Sequence, residues 1–256
     1  LGCLISSFAG GDFQSMISET VKYAPAWTPC FEVNTGRYDS TIRYFSLGPD
    51  YRLALEAERA VFALAPPGRA SNAVPVIVQM GFVESHPYPQ IVAEEPLPRR
   101  IRYFTGATKP ELVESTAYSK IHYKSIYPGI DLFFICGKGT LEYYFVLSGQ
   151  ANLNDVVLEL RGIERLALGD QGELIVRTPA GAIIRPAPRF FQEIGGRRVE
   201  VVGSYVLLSG NRVGFNAEKI EELAALIVDP VLLYLAPPQN WSPKNETPPS
   251  MDDVIR

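Results

Sequence analysis

Among the acidic residues, Asp131 and Glu142 have the spacing that invites a glycosidase reading. They flank Gly137-Lys138-Gly139, a hairpin signal between two aromatic and aliphatic runs. Glycoside hydrolysis needs two carboxyl groups about 5 to 9.5 Å apart. A three-residue loop sets Phe134 opposite Glu142 and Asp131 opposite Phe145, with the acids on opposite faces. A two-residue loop puts them on one face, but Glu142 then faces Ile135, four residues from Asp131 and about 13 Å away. Neither register makes a catalytic dyad. The plainer roles are Asp131 bonding the turn amides after Tyr127-Pro128-Gly129, and Glu142 pairing with Lys120 or Lys124.

The chain has two histidines and three cysteines. His122 falls on a strand, facing away from Ile121 and Tyr123, as a solvated or internally bonded side chain does. No serine or cysteine near it has the setting of a nucleophile elbow. His86 lies in a proline-rich stretch and carries no signal. There is no CxxC pair, so neither a zinc site nor a redox motif is expected. Cys30 and Cys136 fall at strand ends, where an exported protein could join them as a disulfide. Asp229 precedes Pro230 and reads as a turn former. No catalytic residue, metal ligand or cofactor site is assigned.

The aromatics Tyr88, Tyr103, Tyr123, Tyr127, Tyr143 and Tyr144 could line a sugar-binding face, since flat rings stack on sugars. On alternating strands most of them belong in the core instead. Trp27 and Trp241 sit in proline-flanked segments and read as exposed. The irregular stretch 81–99 is where binding residues would concentrate. The candidate ligand contacts are therefore Trp27, Tyr88, Tyr127, Asp131 and Glu142.

Positioning these residues requires strands. Glycine and proline number 21 each, beside 13 tyrosines and 13 phenylalanines, which favours many turns and a β-rich chain. A hydrophobic share of 46% and a charged share of 20% are those of a folded protein. The net charge of −4 with scattered basic residues argues against a nucleic-acid surface. No apolar run approaches the roughly 20 residues that span a bilayer. Period-two runs predict strands over 31–34, 41–47, 51–55, 60–64, 74–82, 100–104, 118–124, 130–136 and 141–147. More follow at close spacing from 156 to 216, and a final strand pair over 226–235 is broken at Asp229-Pro230. Residues 85–99 read as loop, 110–112 as one helical turn, and 217–225 as a helical turn or two. Asp12 and the spacing of Phe13, Met16, Ile17 and Val21 predict a short peripheral helix over 12–21.

The expected architecture is all-β: a large antiparallel β-sandwich over 27–235, divisible into two packed halves near residue 150. Residues 1–26 form an N-terminal extension and 236–256 a proline-rich tail or linker. The first ten residues fit the end of a signal peptide, and Leu1-Gly2-Cys3 is similar to a lipoprotein cleavage box. A plain chain boundary explains them equally well.

Several motifs follow one another in a recognisable order. They are Phe31-Glu32-Val33-Asn34-x-Gly36, Arg102-Tyr103-Phe104-x-Gly106 and Tyr118-x-Lys120-Ile121-x-Tyr123. Tyr127-Pro128-Gly129-Ile130-Asp131-Leu132, Leu141-Glu142-Tyr143-x-Phe145-Val146 and Ile227-Val228-Asp229-Pro230 complete the series. Over about residues 30–235 the chain resembles a bacterial domain of unknown function that precedes SBBP-type β-propeller repeats in secreted proteins. The resemblance implies a non-enzymatic, extracellular or cell-surface interaction module, with no catalytic residues to carry over. The implied partners are β-propeller repeats of the same chain or other surface proteins. A carbohydrate-binding module is the alternative, and a polysaccharide-active enzyme the third reading. The chain departs from the pattern after Tyr234, where it runs into a proline-rich stretch; either the propeller repeats are cut off there or the domain is used without them.

Overall fold

The computed structural model describes residues 29–48, 51–64, 75–105, 111–137, 140–179, 181–221, 223–229 and 234–235. Nineteen strands form one sheet of 16 and a second of three. The first five are β1 (Phe31–Val33), β2 (Tyr44–Leu47), β3 (Tyr51–Leu55), β4 (Arg59–Leu64) and β5 (Val76–Phe82). Two long strands, β6 (Gln90–Thr105) and β7 (Glu111–Tyr127), lead into β8 (Ile130–Gly137) and β9 (Thr140–Leu147). A 3-10 turn at Leu153–Asp155 precedes β10 (Leu158–Arg161), β11 (Arg165–Leu168), β12 (Leu174–Thr178) and β13 (Gly181–Arg185). The chain then runs through β14 (Arg189–Ile194), β15 (Arg197–Val201), β16 (Gly203–Leu208) and β17 (Arg212–Ala217). It finishes with β18 (Leu226–Asp229) and β19 (Tyr234–Leu235).

The large sheet runs β15-β14-β18-β9-β8-β7-β1-β2-β3-β4-β5-β10-β17-β16, with β6 on β7 and β19 beside β9. Its two outermost strands, β15 and β16, are separated in sequence by Val202 alone, so the sheet curls until its ends meet. The all-β expectation holds. In place of the expected sandwich of separate sheets, one nearly closed antiparallel sheet wraps the core. Nor does it divide at residue 150, because later strands pair with earlier ones: β10 on β5 and β18 on β9.

Alternation explains the wrapping. On β7, β8 and β9 the residues Ile121, Tyr123, Ile130, Leu132, Phe134, Leu141, Tyr143, Phe145 and Leu147 point inward and are buried. They meet Leu53, Leu55, Phe62, Phe190 and Phe215 in one continuous core. The three-stranded sheet β11-β12-β13 inserts Leu174 and Val176 into this core beside Phe62, Met80, Leu158 and Leu160. A smaller cluster of Tyr38, Ile42, Phe45, Leu47, Ala54 and Val61 lies on the other face of β2–β4, under the loop 34–43. Asn34 shapes that loop. Its Nδ2 donates to the Tyr38, Asp39 and Ile42 carbonyls, and its Oδ1 accepts from the Gly36 and Tyr38 amides.

Four expectations are overturned. Residues 90–99, expected as loop, belong to β6. This strand pairs β7 on one side and no other strand among the described residues, so Pro96 and Pro98 cost it no partner on its free side. The strain is taken up by a register shift between Pro96 and Arg100 and by Glu95 at φ 57°. Residues 111–112, expected in a helical turn, are extended in β7, and 218–221 and 223–225, beyond the end of β17, are irregular rather than helical. Gln192 docks this second segment: its Nε2 donates to the Glu221 and Ala224 carbonyls, and its Oε1 accepts from the Glu221 amide. The last two strands are not paired with each other. Both pair with β9 instead. The helix expected over 12–21 lies outside the described residues.

Candidate functional site

The outward face of β6–β9 holds a polar cluster with an aromatic floor. The last β8–β9 pair is Gly137 with Thr140, which selects the two-residue loop and sets Ile135 opposite Glu142. Asp131 pairs with Val146, so the two acids share a face four positions apart, about 13 Å along the strand. They form no dyad.

Asp131 is committed elsewhere. Between Tyr123 and Tyr127 the β7 register slips by two residues against β8, and Ser125 adopts φ 49°. Asp131 Oδ1 accepts the amide of Ser125 at 2.7 Å, within this bulge and before the Pro128-Gly129 turn rather than after it. Asp131 Oδ2 lies 2.9 Å from His122 Nε2, and Glu94 Oε1 lies 2.8 Å from His122 Nδ1. With a carboxylate oxygen at each ring nitrogen, an imidazolium donates to both, whereas a neutral ring has only one N–H to give. The ring stacks on Phe133 at 4.1 Å, and Phe133 stacks on Tyr144 at 4.9 Å. Lys120 lies 3.3 Å from Glu94 and 4.9 Å from the centre of the Phe133 ring. The His122 bond holds the Glu94 carboxyl below its ordinary range against partial burial, and Lys120 adds to the effect. Burial pushes the Glu142 carboxyl up, against a bond from Thr140, and Asp229 adds like charge. Lys120, one of the two expected partners of Glu142, pairs instead with Glu94 and Glu95.

A histidine clamped on both nitrogens has no free nitrogen to take a substrate proton. The ring also fills the space between Glu94 and Asp131 that a glycosidic oxygen would need. This constellation therefore works as a clamp tying β6, β7 and β8 together.

The second region is open. A cleft of about 480 Å³ lies between the loop 34–43 and the turn before β6, lined by Val33, Ile42, Arg43, Tyr44, Tyr88 and Ile91 among others. Clefts that hold small ligands span about 300–1,000 Å³. Tyr88 is 83% exposed on its rim. The Tyr88 amide donates to His86 Nδ1 at 3.1 Å, which shapes the turn that presents the ring. Arg43 is exposed, and no acid among the described residues pairs with it.

The sequence candidates are thus not gathered at one place. Tyr88 stands at the cleft, while Asp131 and Glu142 lie on the outer face. Tyr127, expected at a ligand surface, is 2% exposed: the β7 bulge turns it inward, and its hydroxyl donates to the Val157 carbonyl at 3.2 Å. Tyr123 and Tyr143 are buried, and Tyr144 is half-buried in the stack. Trp27 and Trp241 lie outside the described residues, as does the side chain of Tyr103. Cys30 and Cys136, read as a possible bridge, are free and buried. Sequence reasoning missed Glu94 because Pro96 and Pro98 disguised its strand. It missed Arg43 because nothing in the alternation 41–47 distinguishes a cation facing a cleft from one facing water.

Fold and site together define an all-β domain with one curled sheet, a closed polar clamp and an open cleft. A family model described as a domain of unknown function, DUF7948, matches residues 31–231, and the chain belongs to that family. No curated protein and no solved structure matches the chain. No helix among the described residues is long and apolar enough to cross a membrane.

Proposed function

We propose that this domain is a non-enzymatic interaction module of an exported bacterial cell-surface protein, standing ahead of β-propeller repeats, and that it meets its partner through the Tyr88 cleft. One observation carries this reading: the cleft combines an exposed aromatic ring with an exposed cation that no acid among the described residues pairs, whereas the residues suited to acid–base chemistry are bonded to one another elsewhere. An exposed tyrosine and an arginine are the side chains that most often anchor a partner. Export and the propeller context rest on the sequence resemblance.

A glycan is the second reading, favoured by the ring of Tyr88 at the mouth of a cleft with mixed polar and apolar walls. The test is a binding screen against soluble polysaccharides and against β-propeller protein, with a reducing-sugar assay on the same mixtures. Propeller binding weakened at least tenfold by Tyr88→Ala or Arg43→Gln supports the interaction module. Saturable glycan binding weakened in the same way moves the reading to a carbohydrate-binding module. Sugar release overturns the non-enzymatic reading, and binding unchanged in both variants overturns the cleft.

A further inference from the structure

The two buried cysteines come from opposite ends of the first half of the chain, and strand pairing alone brings them together. β6 occupies one edge of β7 along its length. The other edge is shared: β8 takes residues 120–127 and β1 takes 117–118. Both run antiparallel to β7, so the end of β8 points at the start of β1. Ile135 opposes Lys120 and Phe31 opposes Tyr118, two positions apart on β7 or about 7 Å. Cys136 follows Ile135 into this gap, and Cys30 enters it from the other side.

The contacts agree. Cys136 Sγ lies 3.4 Å from the Ser119 carbonyl oxygen and 3.5 Å from that of Tyr118, and the Phe31 amide donates to the same sulfur. Cys30 is joined to Phe31 by a peptide bond. Arg99, which donates to the Pro29 carbonyl at 3.0 Å, also bonds the Cys30 side chain. A disulfide requires Cα atoms about 4.4–6.8 Å apart, and the Phe31 amide on Cys136 Sγ sets the adjoining Cys30 beside that sulfur.

We propose that Cys30 and Cys136 are a disulfide pair, reduced in this structure, that closes when the chain folds in the presence of a small-molecule disulfide. One thiolate attacks the small disulfide, expelling a thiolate and leaving a mixed disulfide. The second cysteine thiolate then attacks the cysteine sulfur of that intermediate and expels the remaining small thiolate. The protein loses two electrons and two protons, and the small disulfide becomes two thiols.

Burial pushes the Cys30 thiol up to about 11, and it pushes Cys136 up to about 12 with Cys30 itself adding to the rise; Arg99 opposes both. A folded thiol of this kind holds little thiolate at neutral pH and attacks slowly. Both thiols are also buried once β1 has docked, out of reach of a small disulfide, so the bond forms during folding.

The test uses the full chain, refolded from reduced denaturant in a mixture of oxidised and reduced glutathione, quenched with an alkylating reagent and digested with trypsin without reduction. Cys3, Cys30 and Cys136 fall in separate peptides, 1–22, 23–37 and 125–138. The expected product joins 23–37 to 125–138 and leaves Cys3 alkylated. Alkylation of both Cys30 and Cys136, or a link from either to Cys3, overturns the proposal. The oxidised protein should melt roughly 10 °C above the reduced one, and Cys30→Ala should abolish that difference; no difference in wild type overturns the pairing. Natively folded reduced protein should oxidise at least tenfold more slowly than the refolding chain, and equal rates overturn the folding-coupled closure.

Discussion

The clamp on the outer face of β6–β8 and the cleft beside the turn before β6 are both polar, yet they are opposites. In the clamp, Glu94, His122, Asp131 and Lys120 satisfy one another over an aromatic floor. In the cleft, Arg43 and Tyr88 are exposed, and no acid among the described residues pairs with Arg43. The difference teaches where to look for function in a fold without an active-site motif. Residue types that suggest catalysis can be spent on holding strands together. Less conspicuous residues are left available for binding.

Substitutions test that contrast. His122→Ala should have the largest effect on the folded state, because it strips a shared partner from two carboxylates and uncovers Phe133. A loss of about 2–3 kcal/mol by denaturant unfolding is expected, with partner binding unchanged. Binding that fell with stability intact would make the clamp a site after all. Tyr127→Phe should cost about 1 kcal/mol through the lost bond to the Val157 carbonyl, again without touching binding.

The acid limb of stability is a finer probe. Glu94 titrates lower when folded than when unfolded, so its contribution is fully present above the unfolded value of about 4.3 and is lost as pH falls through the folded one. A Tm series from pH 7 to 3 should show that loss in wild type and a flatter limb in His122→Ala. The smallest effect belongs to Tyr88→Ala, whose stability should stay within about 0.5 kcal/mol of wild type. A larger drop would mean that the ring holds the turn together rather than waiting for a ligand.

Much of the fold was legible in the sequence because burial alternates cleanly along β9 from Thr140 to Leu147, and because Gly195-Gly196 and Gly210-Asn211 fall at the turns between β14 and β15 and between β16 and β17. β6 was hidden because two prolines in a row of 16 residues look like loop until its free side is known. The curling of one sheet around the core was hidden as well, since pairings such as β10 with β5 join strands far apart in sequence and leave no local trace. Of the site, the sequence picked out Tyr88, and it separated Asp131 from Glu142 in either register. It could not show the bulge that turns Tyr127 inward, nor the loop, shaped by Asn34, that forms one wall of the cleft.

The position of β1 has a mechanical consequence. Among the described residues, this three-residue strand is the link in the ladder between the β7 half of the large sheet and the β2 half. A tensile load entering through the chain before Phe31 would reach it first. It would peel two short pairings, Phe31 with Tyr118 and Val33 with Tyr44, before straining anything longer. Under force the domain should therefore open by splitting along this seam at low load, with each half still laced internally, and a covalent tie at Cys30 would raise that threshold by carrying the load past the seam.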